Sequence, residues 1–287
     1  MIDMYVNIKN SLTGLESALR IAISNANHFN TPGYKYTYSS FTTVYAEAMF
    51  GGSDTQNPMH VGSSMALGST STDFSQGNMT LGTQMDVAIS GEGFFLVSAA
   101  PTEFDAGSPK VFSRAGRFQA DFSNTYVTDP FGRKVYGYKV DNNGNPTGEL
   151  EAMKTDGHLD VGFIDGGVLV SNYADAIKDP ALAKPMYKVA LTTVTNKQGL
   201  VLGNGGVYKT TVASGEQLSI ATSGEAVQEG SSSTYGDVLP GSLESANIDV
   251  AKVALDMNIL NRSFSAIQGV MDDVTKILSS LIQKLGG

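Results

Sequence analysis

The side chains with the chemistry to bind a metal or move a proton are few and scattered. His28, His60 and His158 are the only histidines, and no two stand at the short helical spacing that would bring two imidazoles to one face. His158 lies between Asp156 and Asp160 and reads as a polar turn. Asp141-Asn142-Asn143-Gly144-Asn145 opens like a calcium loop, but its sixth position is Pro146 and no Glu stands at the twelfth, so a hairpin is expected. Gly91-Glu92-Gly93 lacks the third Gly and the following helix of a dinucleotide loop. Neither a Gly-x-Ser-x-Gly elbow nor a phosphate-binding P-loop occurs. Asp272-Asp273 falls on the outer face of a predicted helix and reads as solvation. Arg114, Arg117 and Arg133 read as surface arginines, with bridging between subunits as the alternative. No catalytic, cofactor or metal site is predicted, and the chain is not read as an enzyme.

Composition narrows the partners. The 287 residues are 41% apolar and 16% charged, which suits a folded chain long enough for two domains. Nineteen basic against 28 acidic residues give a net charge of -9, and without a basic run to track phosphates the reading excludes nucleic acid. Cysteine is absent, which removes disulfides and thiolate metal sites. The N-terminus has no cationic stretch leading into an uninterrupted apolar core, and no run approaches eighteen apolar residues. Neither a cleaved signal peptide nor direct membrane insertion is expected.

What the chain does carry is a seam. From Val253, steps of four and three residues meet Met257, Leu260, Phe264, Ile267, Met271, Val274, Leu278, Leu281 and Leu285, all apolar. At the overall apolar frequency such a run arises by chance on the order of once in ten thousand. A second, shorter copy runs through Tyr5, Ile8, Leu12, Leu15, Leu19, Ala22, Ala26 and Phe29. Both ends therefore predict long helices that need helical partners, and the seam residues, Ala22 and Ala26 aside, are read as the assembly interface. Ile259, Ala266, Val270 and Ile277 widen the second seam beyond a two-helix stripe, so neighbouring subunits are expected to cover the excess. Contacts of that kind that fail to close on themselves build a helical homopolymer.

Between the helices the pattern changes twice. Pro32 must end the first helix, and Gly14 inside it suits a close helix-helix approach. Residues 34–85 turn to Ser, Thr, Gly and isolated aromatics and read as an extended arm. Residues 86–230 alternate short β-type runs with turns such as Asp165-Gly166-Gly167 and Asn204-Gly205-Gly206, the pattern of an antiparallel sandwich or barrel. Residues 231–244 read as a linker, and Asn247 with Asp249 supplies an N-cap for the final helix. The fold class expected is α+β: paired long terminal helices in a coiled-coil-like layer, formed by 1–33 with 245–287, and a central all-β outer domain.

Four blocks carry a resemblance. They are Asn25 with Asn30-Thr31-Pro32-Gly33-Tyr34-Lys35; Asp86-Val87-Ala88-Ile89-Ser90-Gly91-Glu92-Gly93-Phe94-Phe95; Phe112-Ser113-Arg114-Ala115-Gly116-Arg117-Phe118; and Gly241-Ser242-Leu243-Glu244-Ser245-Ala246-Asn247-Ile248-Asp249. In this order they resemble the bacterial flagellar rod and hook family of axial proteins. Departures are Asn27-His28, where the family has Ala-Asn, and Ile259-Leu260-Asn261-Arg262 in place of an Ala-Gln-Arg phrase. The resemblance implies a subunit exported by the flagellar type III apparatus and assembled with copies of itself and with other rod and hook proteins. It places the terminal helices in the inner layer of a hollow, torque-transmitting rod crossing the periplasm. A short hook subunit, outside the cell, is the alternative within the family. A secreted β-rich binding module or glycan-active enzyme is the alternative from another class.

Overall fold

The computed structural model describes residues 2–43, 47–50, 59–61, 64–98, 111–121, 123, 125–141, 144–227 and 234–285. The chain is mixed α and β, with one long helix near each end and a large antiparallel sheet between them in sequence. It divides into two compact units. The first holds Met1–Phe29, Tyr36–Asp73 and Ile248–Gly287; the second holds Asn30–Lys35 and Phe74–Asn247.

The first unit contains helix α1, Ile2–Asn27, and the C-terminal helix, Val250–Leu285, which is called α3 because a short helix α2, Tyr173–Lys178, precedes it. At about 1.5 Å per residue the two long helices extend roughly 40 and 54 Å. They pack on each other. Asp249 caps α3, its carboxylate accepting from Ala251 N at 2.9 Å and Lys252 N at 3.2 Å, which satisfies two of the amides a helix start leaves orphaned. An antiparallel pair, Thr37–Thr43 with Met65–Thr72, lies against α1. Gly14 makes that approach possible: a Cβ there would stand 3.1 Å from Ala66 Cα and 3.2 Å from Leu67 N. The close neighbour is therefore a strand, where the sequence suggested a helix, because this Ser/Thr-rich segment pairs with itself and so presents a flat face to α1. Residues 44–46, 51–58 and 62–63 of the expected arm lie outside the described residues.

The second unit is built on a twelve-stranded sheet. Phe94–Ser98 lies within it, pairing with Val111–Ser113, Lys134–Val140 and Leu191–Thr192. Its residues alternate between two cores. Phe95 and Val97 pack with Val87, Phe118, Val135 and Phe163, whereas Phe94 and Leu96 pack with Phe112, Tyr136 and Tyr208. A strand buried on both faces needs a continuous apolar run, and Phe94-Phe95-Leu96-Val97 is one. Positive-φ glycines make the tight turns, among them Gly166 and Gly167 between Gly162–Ile164 and Val168–Val170. The expected hairpin at Asp141 forms: Lys134–Val140 pairs with Pro146–Ala152, and the Asp141 carboxylate accepts from Asn145 N at 2.8 Å. Asn142 and Asn143 at its tip lie outside the described residues. Residues 237–240 and 242–244 are also strands, Asp237–Pro240 pairing with Val87–Ser90 and Ser242–Glu244 with Met79–Leu81.

Candidate functional site

Two places gather the residues singled out by the sequence: the helix seam of the first unit and a charged cluster inside the second.

Along α3 the heptad stripe is the sheltered one. Val253 and Val274 are buried, and Met257, Leu260, Phe264, Ile267, Met271 and Leu278 are half-buried. Leu281 is exposed, and Leu285 closes the helix. On α1, Leu15, Ala18 and Ala22 are buried, with Tyr5, Ile8, Leu12, Leu19 and Ala26 half-buried. Phe29 lies beyond the helix end and is 54% exposed. The second stripe on α3 stays open: Ile259, Val270 and Ile277 are about half exposed and Ala266 is exposed. These four repeat at seven and four residues, which on a helix of 3.6 residues per turn forms a straight row roughly 100° from the sheltered seam.

Asn25 does structural work at the end of α1. Its side chain, 1% exposed, donates from Nδ2 to Thr37 O at 2.8 Å and accepts from Thr37 N at 3.1 Å, so it pairs with the start of the strand as another backbone would. Nearby, Tyr36 Oη donates to Asp256 Oδ2 at 3.2 Å. Burial first, and then the Asp256 charge, push this phenol up to about 12.

The second place is buried in the sheet unit. Glu244 accepts from Lys35 Nζ at 2.6 Å on one oxygen and from Arg114 Nε at 2.8 Å on the other. Gly77 N donates to the same carboxylate at 2.9 Å. Lys35 also donates to Ser75 O at 2.6 Å. Arg114 spends its remaining donors on the carbonyls of Ile89, Gly91 and Gly93. No side chain of the three exceeds 5% exposure. Two cations face one carboxylate, and the second cation is solvated by carbonyl dipoles in place of water. Beside them burial pushes the Tyr208 phenol above its usual range, with Tyr34 adding to the effect.

The four motif blocks meet here. Gly33, at φ 70°, leaves no space for a side chain: a Cβ would stand 2.4 Å from Ala115 N. Tyr34 is buried, Thr31 O accepts from Tyr34 N, Pro32 is half-buried and Asn30 is exposed. Asp86 binds Thr83 N at 2.7 Å, starting the buried run Val87, Ala88 and Ile89. Gly91 and Gly93 turn at φ 117° and 129°, aiming their carbonyls at Arg114. Gly116 passes so close to the neighbouring strand that a Cβ would meet Val87 O at 1.6 Å, and Phe118 stacks edge-on against Phe95 at 5.2 Å.

The arginine reading is thereby corrected. Arg114 is neither a surface residue nor a bridge to another subunit, because its guanidinium is consumed inside this unit. Arg133 is likewise held within it, by Asp129 and by the carbonyls of Asn204 and Gly205; Arg117 is exposed. Sequence reasoning missed Glu244 as the centre of a charge cluster. The available signal was that Lys35, Arg114 and Glu244 each stand inside a motif block close to a Gly or a small residue. Among the described residues no three His, Cys, Asp or Glu are placed to hold a metal ion, and no helix is long and apolar enough to cross a membrane.

No protein-family model matches the chain. Among curated proteins it is similar to the flagellar basal-body rod protein FlgG of Bacillus subtilis, 24% identical over 278 residues covering 94% of each chain. FlgG of Agrobacterium fabrum is 27% identical over 282 residues, 93% of this chain and 95% of the relative. The flagellar hook protein FlgE of Helicobacter pylori is 31% identical over 173 residues, 56% of this chain. The match takes in 23% of that hook protein, so the chain spans about a quarter of its length.

Proposed function

We infer that this chain, which belongs to the bacterial flagellar rod and hook protein family, is a structural subunit of the rod. It polymerises helically through its terminal helices into a hollow, torque-transmitting shaft. The observation that carries the reading is the pair of stripes on α3. One is sheltered in a unit where α3 packs on α1, and the other, through Ile259, Ala266, Val270 and Ile277, is an apolar row left open. A long apolar row on a free subunit is costly in water and is relieved by copies packed side by side.

In this reading the paired helices form a coiled-coil-like inner layer, the Gly/Ser-rich stretch around Thr42 to Thr83 ties neighbouring subunits together, and the sheet unit forms the outer layer. The subunit works by packing, not by catalysis. Its partners are copies of itself, other rod and hook proteins, and the type III export apparatus that delivers it to the basal body. The rod is favoured over the hook because similarity to rod proteins runs nearly end to end in both chains, whereas similarity to hook proteins leaves most of the hook protein unmatched. Electron microscopy of the purified protein under polymerising conditions tests this: tubes with a central channel are expected. Only monomers or closed small oligomers at every concentration tried would refute it.

A further inference from the structure

The chain passes between the two units four times, after residues 29, 35, 73 and 247. Every one of these crossings lies within a few residues of the Glu244 cluster. Lys35 is the last residue of one short visit to the sheet unit. Ser75, whose carbonyl Lys35 binds, is the second residue of the next. Glu244 stands three residues before that stretch ends at Asn247. The same three stretches are cross-tied by backbone and side-chain bonds within the unit: Gly33 N to Glu244 O at 2.7 Å, Ser245 N to Asn78 O at 2.8 Å, and Asn247 Nδ2 to Ser75 O at 3.1 Å.

We propose that Lys35, Arg114 and Glu244 are positioning residues for assembly: they bind into one locus the three stretches, 30–35, 74–78 and 244–247, through which the chain enters and leaves the sheet unit. The inference rests on the polymerising role argued above but adds which residues carry it within the sheet unit. The sheet's two apolar cores are built from other residues, and a buried ion pair contributes little net stability compared with well-packed hydrophobic residues of similar volume. What the cluster supplies is a tie among those three stretches within the sheet unit. Glu244 has two oxygens, one for the cation of an N-terminal stretch and one for a cation anchored to the Gly91–Gly93 turn, and so it fixes the C-terminal exit against both.

The test uses the full-length protein. The paired substitution Lys35→Met with Glu244→Gln removes one positive and one negative charge, leaving the cluster's net charge as it was and Arg114 its carbonyl partners. Hydrogen exchange should keep the strands Phe94–Ser98 and Lys134–Val140 protected as in the unsubstituted protein. Exchange at residues 30–35, 74–78 and 244–247 should accelerate by about tenfold or more, and the critical concentration for polymer should rise by a similar factor. Asn247→Ala leaves the buried charges untouched; it should move the same two readouts in the same direction by less. Exit stretches that exchange as before in the paired variant, or loosened stretches with unchanged polymerisation, overturn the proposal. Should the paired variant lose its core strands, Asn247→Ala decides: unaltered exit stretches or unaltered polymerisation there overturns it. Failure of the unsubstituted protein to polymerise under any condition refutes the rod reading instead, and exchange at the exit stretches still shows whether the clamp exists.

Discussion

Glu244 takes the ammonium of Lys35, 209 residues earlier in the chain, into a contact of 2.6 Å with both side chains essentially shut off from water. A pair so buried and so far apart in sequence makes the folded state sensitive to the loss of either member. Glu244→Ala strands two buried cations and is expected to cost the sheet unit about 3–5 kcal/mol in denaturant titration. Lys178→Ala, which removes an exposed pair with Asp175 at 4.0 Å, should leave the midpoint unmoved within error.

Two glycines should respond with opposite signs. Gly116→Ala drives a methyl into Val87 O, and relief requires the sheet to shift, at a cost of about 3 kcal/mol or more. Gly269 lies in α3 with nothing within 4 Å of where a Cβ would stand. Gly269→Ala should therefore raise helix stability, by up to about 1 kcal/mol. Thermal denaturation of the two variants beside the parent checks both signs, and destabilisation by Gly269→Ala would mean that the position is not open.

The two faces of α3 are separable by mutation. Val274→Asp and Phe264→Asp place a charge in the sheltered seam and should loosen α3 itself, seen as faster hydrogen exchange, and abolish polymer. Ile277→Asp changes the open row and should block polymer while leaving the exchange of α3 in the monomer near normal. Asp272→Ala should do neither. Equal effects from Ile277→Asp and Asp272→Ala would remove the open row from the assembly surface.

High pH should loosen the first unit in a defined window. The Tyr36 phenol is held up to about 12 in the folded chain, whereas an unperturbed tyrosine titrates near about 10. Below about pH 10 both states keep the proton and no dependence arises. Between about pH 10 and 12 the unfolded state gives it up first, so stability falls as pH rises. Tyr36→Phe should flatten the part of the pH profile of unfolding that falls in this interval, and an unchanged slope would show that Tyr36 does not titrate late.

Several of these features were legible before any coordinates. The heptad at Val253 marked the face of α3 that is sheltered, because spacing alone decides which side of a helix is shared. Phe94 to Val97 falls among the β-type runs expected in 86–230, though its burial on both faces was not read from it, and Asp141 to Pro146 announced a hairpin, since turn chemistry is local. Illegible were the strands of 37–43 and 65–72, whose Ser and Thr residues carry no apolar alternation and gain their pairing from each other and from α1. Illegible too was the convergence on Glu244. Its partners come from three distant segments, and nothing in a linear spacing tells a buried Arg114 from an exposed Arg117 three residues away.

The placement of Glu244 also sets a timetable for biosynthesis. The partners of the strands Val87–Ser90 and Met79–Leu81 are Asp237–Pro240 and Ser242–Glu244. A nascent chain on the ribosome can thus lay down most of its central strands and still lack the segments that close them. Until residue 244 has cleared the exit tunnel, Lys35 and Arg114 lack the carboxylate they share and the unit stays unfinished. The protein is in this way kept pliable for nearly the whole of its own translation.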